Sequence, residues 1–94
     1  MNSHIDPEFR KCLAKLSREK KQAAIDAYKQ WKQDPFAGSL RFKCVDQKSN
    51  IWSVRIGIHY RAFGARDDDE IIWFWIGSHE EANNLIKNVG KRAR

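Results

Sequence analysis

The sequence has 94 residues and a mass of 11.0 kDa, which makes one small domain and leaves no room for a second catalytic or regulatory one. Hydrophobic residues at 41%, four tryptophans among them, call for a packed core, while 32% charged residues and a mean hydropathy of -0.73 speak against disorder and against membrane insertion. Eighteen Lys plus Arg against twelve Asp plus Glu leave +6, a balance suited to a polyanion such as RNA or DNA, or to an acidic protein.

Met1 to Ile5 lack a charged-then-apolar signal architecture, and no apolar run approaches the roughly 18 residues of a membrane helix, so the expected location is the cytoplasm. Residues 1–5 have the length of a short strand. Asp6-Pro7-Glu8 starts a helix: Asp6 caps free amides, Pro7 suits the first helical position, and Glu8 complements the dipole. Phe9, Cys12, Leu13 and Leu16 form one apolar stripe, which stops at Ser17, a second cap. Ala24, Ala27, Tyr28 and Trp31 repeat that spacing until Asp34-Pro35 ends the run. Two helices so closely linked predict an antiparallel hairpin. Cys12 and Cys44 lack a CxxC spacing and read as reduced core residues.

From Leu40 the period changes to two. Leu40, Phe42 and Cys44 alternate with Arg41, Lys43 and Val45, and Trp52, Val54 and Ile56 alternate with Ser53, Arg55 and Gly57, as in half-buried strands. A further strand is expected from Tyr60 to Ala65, then a polar turn at Arg66-Asp67-Asp68-Asp69. The run Ile71 to Ile76 is apolar on both phases and reads as a strand interior to the sheet. Ala82, Leu85, Ile86 and Val89 restore helical spacing up to Gly90, the expected C-terminal cap, before a basic tail over residues 90–94. The predicted class is α+β: a helix hairpin on a twisted antiparallel sheet of three to four strands, closed by a C-terminal helix.

If the phase with Phe42, Trp52, Val54 and Ile56 packs on the hairpin, the opposite phase presents Arg41, Lys43, Ser53 and Arg55 on one surface. Arg61 joins them only if the phase survives the break at Ile58-His59, where a bulge would reverse it. His79 follows the central strand at the sheet rim. RNA cleavage without metal needs a base for the 2′-hydroxyl, cations for the charge growing on phosphate, and an acid for the leaving 5′-oxygen, and this set contains candidates for each. Against that reading, a basic face is more often a solvated or partner-docking surface. Trp73 and Trp75, at i and i+2, are expected to share a face, with Trp75 the candidate to stack a base. No phosphate loop, HExxH helix, EF-hand loop or nucleophile elbow occurs, so neither metal nor other cofactor is expected.

Asp34-Pro35-Phe36 through Leu40-Arg41-Phe42-Lys43, and Trp52-Ser53-Val54-Arg55-Ile56-Gly57 followed by Tyr60-Arg61, resemble the RelE/ParE superfamily of bacterial type II toxins, with further likeness over nearly the whole chain. The resemblance implies the same helix-on-sheet fold and a cognate antitoxin as partner, in a hetero-oligomer or beside a homodimer. In the RelE and YoeB branch it implies cutting of mRNA on the ribosome without metal. Carried over, Arg61 matches the arginine that stabilises the scissile phosphate, Arg55 and Lys43 match basic positions on neighbouring strands, and His79 matches the histidine ending the last strand. The tyrosine common near that histidine is missing, since Glu80, Glu81 and Ala82 follow, and Glu80 is a candidate substitute base. ParE-type members share the fold and inhibit DNA gyrase without cutting RNA, and an inactive antitoxin-binding relative is the third reading. The joint presence of Lys43, Arg55, Arg61 and His79 favours the ribonuclease.

Overall fold

The computed structural model describes residues 1–92, with side chains through residue 88. The elements in chain order are β1 (Asn2–Ile5), α1 (Pro7–Ala14), α2 (Arg18–Gln33), a short 3-10 turn (Gly38–Leu40), β2 (Lys43–Asp46), β3 (Ile51–Ile56), β4 (Tyr60–Asp67), β5 (Glu70–Ser78) and α3 (His79–Arg92). Both helix starts are built by the expected caps: the Asp6 carboxylate accepts from the Glu8 amide at 2.8 Å, and the Ser17 hydroxyl from the Lys20 amide at 3.3 Å. The helix α2 stops at Asp34, one residue before Pro35.

The sheet order is β1-β5-β4-β3-β2. The strands β2 to β5 form the expected antiparallel meander, but the sheet has five strands and is mixed, because β1 adds parallel to the outer edge of β5. Its four residues, Asn-Ser-His-Ile, carry almost no apolar alternation, so only pairing with β5 makes them a strand. The strand β2 begins at Lys43 rather than Leu40, because Arg41 takes a left-handed conformation (φ 46°) after the 3-10 turn. Leu40 and Phe42 are nevertheless buried, by the turn and not by strand alternation. The helix α3 continues through Gly90 to Arg92, so Gly90 is not its cap and the tail is shorter than expected. The Val89 side chain, together with Ala93 and Arg94, lies outside the described residues.

One face of the sheet is covered by α1 and α2. Trp31, 1% exposed, sits at its centre, edge-on to Phe42 (5.8 Å between ring centroids) and to Trp73 (5.4 Å), with Val54, Ile56, Ile71 and Ile76 around it. Phe9, Cys12, Leu13, Leu16, Ala24 and Ala27 close the layer from the helices. The other face carries a smaller core of Ile51, Phe63 and Ala82, packed against Val45, Phe74, Trp75, Leu85 and Ile86, with α3 as its cover.

The strand β5 serves both cores through one irregularity. Phe63 pairs with Trp75, yet Gly64 pairs with Trp73, so Phe74 is an extra residue opposite the Phe63–Gly64 step. The bulge sends Trp73 to the α1/α2 face and Trp75 to the α3 face, where its ring stacks on Phe63 at 5.1 Å. The two tryptophans therefore do not share a face, contrary to a strict two-residue alternation. Gly64 sits where a Cβ would come within 2.7 Å of Ile71 and 2.9 Å of the Trp73 ring, so a side chain there is overpacked. Gly64→Ala is expected to destabilise the fold by about 1–3 kcal/mol, read as a lower urea midpoint with unchanged slope.

Candidate nucleic-acid interface

The turn of residues 57–59 settles the phase of the basic face. Gly57, at φ 61°, turns the chain so that Ile56 pairs with Tyr60 and Arg55 with Arg61. The alternation carries through without reversal, and Arg61 joins the face that also holds Lys43 and Ser53, which pair with each other. The same turn holds the start of α3: the His79 amide donates to the His59 carbonyl at 2.7 Å. His79 is thereby brought to Arg61, whose Nε donates to its Nδ1 at 2.7 Å. A neutral imidazole accepting at Nδ1 carries its proton on Nε2.

Lys43, Ser53, Arg61 and His79 line one cleft of about 130 Å³, walled by Val45, Phe63, Ala82 and Ile86. Three of the residues singled out from sequence thus meet. Arg55 faces Arg61 across the strands, but its Nε donates to the Gly57 carbonyl at 2.9 Å, and its side chain lines a neighbouring cleft of about 480 Å³ against α2. That larger cleft offers one carboxylate, Asp26, and no imidazole, whereas His79 lines the smaller one. Arg41 stands at the end of the 3-10 turn, outside any strand. Trp75 lines a third cleft, of about 260 Å³, with Tyr60, Gly77 and Glu81, and does not reach the His79 cleft. Its indole lies over Gly77, where a Cβ would come within 2.5 Å of the ring.

The face is positive. Arg61 is held below the ordinary guanidinium value, first by burial and then by the charges of Arg55 and Arg41. Among the described residues the ion pairs found are Met1–Asp69, His4–Glu70 and Lys11–Glu8, all away from this face. No three His, Cys, Asp or Glu side chains converge as a metal-binding set among the described residues. No described helix is long and apolar enough to cross a membrane.

The two glutamates after His79 have separate positions. The Ser78 amide and hydroxyl donate to Glu81 Oε1 at 3.2 and 2.9 Å, and the Glu81 amide donates back to the Ser78 hydroxyl at 3.2 Å. This is a capping box, and it commits Glu81 to the helix start. Its signal, Ser78-x-x-Glu81, is plain in the sequence. The Glu81 carboxyl is held below its ordinary value, first by the Ser78 hydroxyl and then by the Ser78 amide. Glu80 is exposed on the first turn of α3 and lines neither the His79 cleft nor the one beside Trp75.

A family model for the ParE-like toxin domain matches residues 17–84, and the chain belongs to that family, within the RelE/ParE superfamily. It is a toxin of the toxin–antitoxin kind. A search of curated proteins found no match. Among solved structures, the RelBE2 toxin–antitoxin complex of Mycobacterium tuberculosis has a chain similar in fold, with TM-score 0.65 and 18% identity, covering 83% of this chain and 96% of that one. The RelB–RelE antitoxin–toxin complex of Methanococcus jannaschii is similar with TM-score 0.65 and 15% identity, covering 87% and 96%. A copper-bound mutant toxin of Helicobacter pylori gives TM-score 0.58 and 18% identity over 86% and 97%.

Ser78→Ala is expected to cost about 1 kcal/mol of stability in urea unfolding, the usual value for a lost cap. The Glu81 carboxyl titrates lower in the folded chain than in the unfolded one, where it is near the ordinary value of about 4.3. Its contribution is therefore complete above that value and is lost as pH falls through the folded one. Urea midpoints of Glu81→Gln, which keeps the neutral half of the box, should lack that part of the acid dependence.

Proposed function

We propose that this toxin is a ribosome-dependent, metal-independent mRNA endonuclease that inhibits translation in the cytoplasm, with Arg61, Lys43 and His79 at the reacting phosphate. The observation that carries the reading is the 2.7 Å hydrogen bond from Arg61 Nε to His79 Nδ1. It leaves the two Nη groups of Arg61 for non-bridging phosphate oxygens and sets the imidazole with Nε2–H as the free donor. In the proposed reaction the 2′-hydroxyl attacks the adjacent phosphate, Arg61 turns from Nδ1 to bind the charge that grows there, and His79, then protonated at both nitrogens, gives its Nε2 proton to the leaving 5′-oxygen and is left as the neutral imidazole. Lys43 either takes the 2′-hydroxyl proton as the free amine, or neutralises the same charge while water takes that proton. Lys43→Arg separates these roles, since arginine keeps the charge and cannot act as base.

Arg55, on β3, and Arg41, at the end of the 3-10 turn, extend the positive field and suit flanking phosphates, and the accessible part of Trp75 suits a base one step further away. Glu80 is not needed as a base in this scheme. The partner that restrains the toxin is a cognate antitoxin, in keeping with the RelB–RelE complexes whose toxin chains share this fold. A second reading, inhibition of DNA gyrase by surface contact, draws on the ParE-like description of the family.

The test is induced expression in a bacterial host with primer extension on several mRNAs and a parallel assay for trapped gyrase. Codon-linked cuts are expected, falling by about 10²–10³ in Arg61→Ala, as for loss of one donor to a developing oxyanion. The same variant should unfold at an equal or higher urea concentration, because it relieves the Arg55–Arg61 repulsion. Unaltered cutting by Arg61→Ala overturns the assignment, and intact mRNA with trapped gyrase establishes the second reading.

A further inference from the structure

Ser53 is 1% exposed, and its hydroxyl has no hydrogen-bond partner. A hydroxyl in that position has lost its water and gained nothing in exchange, a cost that an alanine would avoid. Two other buried side-chain atoms among the described residues share this condition, the indole nitrogens of Trp31 and Trp73. Those belong to large rings whose burial builds the main core, and they lie among apolar neighbours. Ser53 has no such excuse of size, and it lines the cleft with Lys43, Arg61 and His79.

Register fixes its surroundings. Ser53 pairs with Lys43 on one side and Phe63 on the other, while one pair further along the same face Arg55 meets Arg61. The hydroxyl thus lies where the apolar floor under α3 gives way to the cations. The polar groups that line the cleft are rich in donors: the Lys43 ammonium, the Arg61 Nη groups, His79 Nε2–H, the Ser53 hydroxyl and the Asn83 amide, the last with both a donor and an acceptor end. A donor-rich site with a net positive charge and no carboxylate in its lining fits a tetrahedral oxyanion. The cleft, at about 130 Å³, holds roughly four waters at about 30 Å³ each, or one such oxyanion with water beside it.

We propose that Ser53 contacts the ligand, its hydroxyl donating to a non-bridging oxygen of a phosphate group seated against the cleft floor. The identification of that phosphate as an RNA phosphodiester rests on the endonuclease reading; the oxyanion contact does not. Lys43, exposed on the edge strand β2 and paired with Ser53, is the wall that moves in this proposal, taking a new rotamer as the phosphate is seated. The buried, unpartnered hydroxyl of the free protein is then the cost of a site prepared in advance.

The experiment measures inorganic phosphate binding by calorimetry and urea unfolding without phosphate, for the wild-type protein and Ser53→Ala. One saturable site is expected, weakened about ten-fold by the substitution, the loss of one hydrogen bond to a charged group. The urea midpoint of Ser53→Ala should be equal or higher, because an unsatisfied hydroxyl has been removed. No saturable site in the wild-type protein, an unchanged affinity in Ser53→Ala, or a lowered midpoint that reveals an internal partner each overturns the proposal. Ser53-dependent phosphate binding in a protein that leaves mRNA uncut would retain this contact while ending the endonuclease reading. Mutant affinity equal to wild type in a protein that cuts mRNA would do the reverse.

Discussion

The bulge at Phe74 is the constraint on which the two-sided architecture depends. A five-stranded sheet in a chain of 94 residues must build a core on each face from very few side chains. Under strict alternation Trp73 and Trp75 would fall on one face, leaving the other with phenylalanines but no tryptophan. One extra residue in β5 divides them. Trp73 completes the cluster around Trp31, and Trp75 stacks on Phe63 beneath α3. Gly64, opposite the bulge, is bare of a side chain because Ile71 and Trp73 already occupy that space. The helix α3 can cover the second face only because a hydrophobic floor exists there, and the cleft exists only because α3 covers one end of that face.

That partial cover produces a gradient along one side of β3. Ile51 is sealed under the second core, Ser53 is buried at the edge of it, and Arg55 emerges beside the open end. Arg55 and Arg61 stand directly opposite each other, an arrangement that disfavours folding. No carboxylate relieves it among the described residues, and partial burial of Arg61 increases the cost. A sequence selected for stability alone would place an acid or a polar neutral residue at one of these positions. Local violations of folding consistency are expected at functional sites, and here two of them, the arginine pair and the orphaned serine hydroxyl, occur on the same face of the same two strands, two residues apart along β3.

Much of the fold was legible because local rules controlled it. Asp6 and Ser17 start their helices through hydrogen bonds within three residues, and Pro35 fixes the end of α2, so composition and spacing suffice. The non-local features were not legible. The strand β1 is made by β5 across nearly seventy residues of chain and has no alternation of its own. The division of Trp73 from Trp75 depends on the β4–β5 register, and runs that are apolar on both phases conceal such a slip. Leu40 and Phe42 look like strand residues because a 3-10 turn followed by a left-handed arginine happens to bury alternate positions.

The candidate site divides along the same line. Arg55 and Arg61 could be placed on one face as soon as the three-residue turn after Ile56 was known to preserve phase, since strand alternation then determines the rest. His79 needed more than alternation. It is positioned by a backbone bond to His59, by the Ser78–Glu81 box that starts α3 at this residue, and by the Arg61 guanidinium. The first and last of these join segments distant in sequence, whereas the box is local and could have been read from Ser-His-Glu-Glu. Recognising it assigns Glu81 to the helix start. His79 lines the cleft with Lys43 and Arg61, and two glutamates can follow it without adding a carboxylate to that positive lining: the first turn of α3 directs one into its own cap and the other to solvent.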